Sequence, residues 1–130
     1  MKDILEYQFG IKIEEELEIK KEGRKVYLYK NKKLLAVLNP RFGLFTIFKD
    51  FFEYLIKNGK FIKVKSSDID FIKKSKNIFK INVVEIGNFE AYEDVAIIDE
   101  KNNLIGIGRT KISSKEFLNS KSGLVAKIRG

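Results

Sequence analysis

Asp94-Val-Ala-Ile-Ile-Asp99, a polar turn and Leu104-Ile-Gly-Ile-Gly-Arg-Thr110 read as two short strands, because aliphatic and β-branched runs stand between polar punctuators. Upstream, Ile78–Ile86 is another strand-like run. Downstream, a serine-capped short helix starts at Ser113, and Gly123-Leu-Val-Ala-Lys-Ile-Arg-Gly130 forms a last basic strand. Gly106 and Gly108 sit at strand spacing, where a missing side chain admits another backbone or a ligand. Two short helices, many short strands and no βαβ rhythm predict a partly closed barrel.

Further upstream, Phe61-Ile-Lys-Val-Lys65 alternates as a strand, and Ser66-Ser67-Asp68 offers an N-cap for a short helix over Ile69–Lys74. Ahead of it, Ile11-Lys-Ile-Glu, Leu17-Glu-Ile-Lys, Val26-Tyr-Leu-Tyr, Leu34-Leu-Ala-Val-Leu and Leu44-Phe-Thr-Ile read as strands. Turns at Glu22-Gly23, at Asn31-Lys-Lys and at Asn39-Pro-Arg-Phe-Gly43 separate them. Phe48, Phe51, Phe52, Leu55 and Ile56 then recur at helical spacing, with Asn58-Gly59 as the stop. Such a stripe packs against a sheet far more often than it stacks on bases. The predicted class is α+β: a small antiparallel sheet with one helix over residues 1–59, then the barrel over 60–130. The first unit, with few convergent basic residues, is expected to be structural.

At 130 residues the chain holds one compact domain or two very small ones. No apolar run reaches the ~18 residues of a membrane helix, and the N-terminus lacks a signal-peptide core, so a cytoplasmic protein is expected. Zero cysteines and zero histidines exclude disulfides, thiolate chemistry, the usual neutral-pH base and the usual zinc sites. No cofactor or metal is expected. Glu14-Glu-Glu16 and the acidic group Glu90, Glu93, Asp94 and Asp99 offer carboxylates for acid–base work or magnesium, but solvated strand edges account for them better. Gly106-x-Gly-Arg lacks the third glycine of a dinucleotide fingerprint. The expectation is a non-catalytic module. Its net charge of +8 favours a polyanionic partner. Lysine dominates, with arginine only at Arg24, Arg41, Arg109 and Arg129.

The order Gly-x-Gly, serine-initiated helix, basic final strand resembles the PUA domain, a small RNA-binding β-barrel. The whole chain resembles the C-terminal region of the archaeal tRNA-guanine transglycosylase and archaeosine synthase family. Four stretches carry the likeness: Glu6-Tyr-Gln-Phe-Gly10; Lys25-Val-Tyr-Leu-Tyr29 with Leu34-Leu-Ala-Val-Leu-Asn-Pro-Arg-Phe-Gly-Leu-Phe-Thr46; Phe71-Ile-Lys-Lys-Ser-Lys-Asn-Ile-Phe-Lys80; and Asp94–Gly130. The chain departs from the pattern where Ser75 replaces the usual glycine, and near Tyr92, where a glycine is also usual. The catalytic barrel with its aspartates is absent, so base exchange does not carry over.

The resemblance implies a face that holds the acceptor stem and single-stranded 3′ end of tRNA. Lys73, Lys74, Ser75, Lys76 and Lys80 would surround the first PUA helix, and Lys127 and Arg129 would lie on the last strand beside it. Gly106, Gly108 and Arg109 would complete the face. Tyr92 or Phe79 could offer a stacking surface, and Lys60, Lys63 and Lys65 could extend the patch. These expectations describe a stand-alone tRNA-binding subunit working with a separately encoded transglycosylase-like enzyme, with no DNA or membrane partner. The alternative is an RNA-binding adaptor in ribosome assembly, because Nip7-type factors share the small-domain-plus-PUA arrangement.

Overall fold

A computed structural model describes residues 2–39 and 44–129; the Pro40–Gly43 turn and Arg41 therefore lie outside the described residues. Two compact units are present, residues 1–54 and 55–130.

The first unit opens with a helix absent from the sequence expectations, α1 (Lys2–Phe9). Leu5 and Phe9, one turn apart, are buried, while Tyr7 points to solvent. Gly10 takes φ +64° and the Ile11 amide donates to the Glu6 carbonyl at 3.1 Å, a left-handed stop that satisfies a terminal carbonyl. Ile11 and Ile13 are buried but form no strand. The Ile13 amide donates to the Glu6 carboxylate at 2.6 Å, so a side chain takes the place of a ladder partner.

Four antiparallel strands come next, in sequential order: β1 (Glu18–Glu22), β2 (Lys25–Lys30), β3 (Lys33–Asn39) and β4 (Leu44–Ile47). Val26, Leu28, Leu35, Ala36 and Leu38 bury the inner face. A 3-10 turn, Lys49–Phe51, leads into α2 (Phe52–Lys57). The expected stripe shifts here. Phe51, Tyr54 and Leu55 are buried, Phe52 is only half-buried, and Phe48 is exposed. The entry turn is wound as 3-10 rather than α, which rotates the residues before Phe52 relative to an α-helical reading. Phe51 packs its ring 5.2 Å from Phe9 and 5.7 Å from Tyr54.

The second unit is a six-stranded sheet: β5 (Phe61–Val64), β6 (Asn77–Phe79), β7 (Val83–Ile86), β8 (Asp94–Ile98), β9 (Leu104–Thr110) and β10 (Leu124–Arg129). The strand order is β6-β10-β9-β8-β5-β7. All pairings are antiparallel except β5 with β8. The two edge strands, β6 and β7, are joined by one 3-10 turn, Lys80–Asn82. Three residues reach about 10 Å, so the sheet must curl until its edges approach. The expected run Ile78–Ile86 is thus two strands with the barrel seam between them.

Asn82, buried, holds the seam. Its side-chain oxygen accepts from the Phe79 amide at 2.9 Å, its carbonyl accepts from the Lys65 amide at 2.8 Å, and its side-chain nitrogen donates to Asp68 at 3.0 Å. Asp68 precedes α3 (Ile69–Ser75) but makes no cap bond there. The expected N-cap is corrected: Asp68 serves the seam instead. At α4 (Ser114–Asn119) the cap does form. Ser113 accepts from the Glu116 amide at 3.1 Å, and Glu116 accepts from the Ser113 amide. Ile62, Val64, Ile72, Ile78, Val95, Ile97 and Val125 fill the barrel.

Candidate nucleic-acid interface

α3 ends beside β6, and β10 pairs with β6 antiparallel. Sequence-distant residues therefore fall into one transverse row on the outer face: Asn77 opposite Lys127, Lys127 opposite Arg109, Arg109 opposite Asp94. Lys127 and Arg109 are exposed. Cations directly opposite one another on a sheet repel. Asp94 offsets part of this, its carboxylate 3.6 Å from the Arg109 guanidinium. An anion lying across the row would relieve the remainder.

The α3–β6 loop abuts that row, since the Lys76 carbonyl accepts from the Ile128 amide at 2.9 Å. Lys73, Lys74 and Lys76 are exposed there, and as cations in and after the last helical turn they also complement the helix dipole. The left-handed residue of the loop is Lys76, at φ +63°, and not Ser75. The serine needs no glycine-like geometry. Its hydroxyl accepts from the Asn77 amide at 3.2 Å and ties the loop to β6. Tyr92, the other departure, takes φ +63° itself and is 68% exposed.

Five expected contributors lie elsewhere. Gly106 and Gly108 alternate with the exposed Arg109 and so face inward. A Cβ on Gly108 would stand 2.9 Å from Ile97 Cδ1 inside the core, and one on Gly106 would meet Ile128 at 3.7 Å. Gly108 is small because the barrel is full, not because a ligand approaches it. Lys80 turns its ammonium to the end of α4, donating to the carbonyls of Phe117 and Ser120 and lying 4.7 Å from the Phe117 ring centre. It satisfies terminal helix carbonyls. Lys60 is paired with Glu93 at 3.0 Å with little exposure, and Lys63 lies on β5 opposite Glu85. The backbone of Arg129 continues β10, but its side chain lies outside the described residues.

Phe71 is the residue that sequence reasoning missed. It is 49% exposed on α3, shares a helix face with Lys74 three residues on, and lies 6.3 Å from the half-buried Phe79 ring. Its position beside Ile72, the buried residue of the helix, was the available signal. Phe79 pairs with Leu124, which lines an open recess of about 400 Å³ beside α4 together with Ile112, Lys115, Asn119 and Ser122. Cationic loop, aromatic surface and recess therefore succeed one another along β6 and β10.

Among the acidic groups, Asp99 is buried at the β8–β9 turn, accepting from the amides of Lys101 and Asn103 at 2.9 and 2.8 Å. The Asn103 amide above all holds its carboxyl below the ordinary aspartate range. Glu15 is paired with Lys30 at 3.2 Å. No group of three or more metal-ligating side chains occurs among the described residues.

The chain is 30% identical over 129 residues to archaeosine synthase subunit alpha of Thermoplasma acidophilum, covering 97% of this chain and 24% of that protein. It is 31% identical over 137 residues to tRNA-guanine(15) transglycosylase of Pyrococcus furiosus, covering 97% and 23%. The chain thus spans about a quarter of the length of these relatives. The solved structure of a conserved PUA domain protein from Thermoplasma acidophilum matches with a TM-score of 0.62 at 17% identity, over 96% of this chain and 82% of that one. Residues 60–130 match the family model of the PUA domain, and the chain accordingly belongs to the PUA family of RNA-binding modules.

Proposed function

We propose that this protein binds tRNA, holding the acceptor stem and single-stranded 3′ end for an archaeosine-forming enzyme whose catalytic domain these 130 residues do not contain. The observation that carries the reading is the similarity, over 97% of the chain, to regions of two tRNA-modifying enzymes. The outer face supports it physically. Lys73, Lys74, Lys76 and Lys127 supply phosphate contacts, because ammonium groups neutralise backbone charge without forked base recognition. Phe71 offers a surface on which an unpaired terminal base can stack, and the recess beside α4 accepts the adjoining nucleotide. Reaction chemistry is left to the enzyme.

Cross-linking the full chain to RNA in extract of its native source tests this. Recovery of tRNA joined near its 3′ end is the expected result. Recovery of ribosomal precursor RNA would establish the ribosome-assembly alternative, and recovery of neither would overturn RNA binding.

A further inference from the structure

Basic residues are not confined to the PUA unit. Residues 18–33 carry seven lysines or arginines against Glu18 and Glu22, a local net +5 (seven minus two), although residues 1–54 as a whole carry only +2 (eleven minus nine) of the chain's +8. The β1–β2–β3 meander collects them. Its register places Lys20 opposite Tyr27 and Glu18 opposite Tyr29 on β1 and β2, and Tyr27 opposite Val37 on β3. Alternation puts these on the face away from Val26 and Leu28, which are buried. Every residue of β1 is exposed.

The β2–β3 turn has two residues, Asn31 at φ +50° and Lys32 at φ +67°, between the paired Lys30 and Lys33. This geometry favours glycine at the second position, so Lys32 is held at a conformational cost that keeps a cation at the tip. Lys20, Tyr29, Lys32 and Glu18 together line a recess of about 180 Å³, roughly six waters in size and open to a single planar base. Lys30 is excluded, being paired with Glu15 and lying 5.2 Å from the Tyr54 ring centre.

We infer that this sheet face is a second, single-stranded RNA site, separate from the PUA face. Tyr29 stacks on a base. Lys20 and Lys32 flank it at the phosphates. Glu18, a pure acceptor, takes an exocyclic amine of that base, which admits cytosine and disfavours uracil, whose corresponding group is also an acceptor. The second site stands whether or not tRNA is the ligand of the PUA face.

The test is fluorescence anisotropy of the full chain with short single-stranded oligo(C) and oligo(U). Oligo(C) should bind more tightly. Tyr29→Ala should weaken it about tenfold while Tyr29→Phe retains it. Lys20→Ala and Lys32→Asn, the latter tolerant of positive φ, should each lower the salt slope by about 0.7. Glu18→Gln should narrow the gap between C and U. Circular dichroism confirms that each variant is folded. If wild type binds oligo(C), Lys73→Ala with Lys74→Ala abolishes that binding, and Tyr29→Ala leaves it intact, this inference fails while the PUA reading stands. Binding to anionic lipid vesicles but to neither oligonucleotide would also overturn it.

Discussion

Gly108→Ala probes the inward orientation of the β9 glycines. The added methyl would sit 2.9 Å from Ile97 Cδ1, 3.1 Å from its Cγ1 and 3.4 Å from the Lys127 carbonyl oxygen. Ile97 is fully buried, so it cannot swing into solvent, and overpacking of this kind costs about 1–3 kcal/mol. For a unit of this size that is a fall in Tm of roughly 5–15 °C. Ile97→Val removes the closest atom at a cost of its own of about 0.5–1.5 kcal/mol. The double variant should therefore be more stable than the sum of the singles predicts, the signature of two residues in contact. Gly106→Ala is the control. Its methyl meets only Ile128 at an ordinary 3.7 Å, and it should be neutral or slightly stabilising. Thermal unfolding followed by circular dichroism reads all four proteins. An unchanged Tm for Gly108→Ala together with lost preference for a single-stranded RNA end would refute the reasoning and return the glycines to the binding face.

Phe51→Ala should cost about 3–5 kcal/mol, because the ring is fully buried against Phe9 and Tyr54; Phe52→Ala, half-buried, should cost distinctly less, and equal losses in urea unfolding would mean that the wrong face has been assigned to the core. Lys80→Met should destabilise the end of α4 by about 1.5–3 kcal/mol and raise hydrogen exchange there, whereas unchanged exchange would release Lys80 for RNA. Asp99 has a lowered folded pKa, so its contribution is fully present above the unfolded value and lost as pH falls through the folded one. Wild type should therefore lose stability below about pH 4 more steeply than Asp99→Asn, and parallel curves would contradict that.

The legible part of the sequence was local. The β2–β3 hairpin is set by Asn31-Lys32 between apolar runs, and the α4 cap by Ser113 with Glu116 three residues on. Both are decided within a few residues. The illegible part depends on distant partners. Glycines two apart must share a face, but only the exposure of Arg109 next to Gly108 says which one. Asp68 could cap α3 or reach Asn82, and the buried seam wins because an unsatisfied buried amide costs more than an exposed cap. Lys80 reads as one more surface cation until α4 folds against it. The alternation Ile11-Lys-Ile13 mimics a strand, yet Glu6 supplies the hydrogen bond that removes the need for one.

The central claim is that the α3–β6 loop and β10 form a phosphate-binding face for an RNA end. Lys76→Asn with Lys127→Gln removes two exposed cations while leaving the left-handed loop position to a residue that tolerates it. The measurement is the salt dependence of binding to a tRNA acceptor minihelix, with and without its single-stranded 3′ tail. Wild type should bind the tailed RNA more tightly, and the double variant should lower the slope of log affinity against log salt by about 1.5 units. Identical affinities and slopes for the folded variant and wild type would contradict the account.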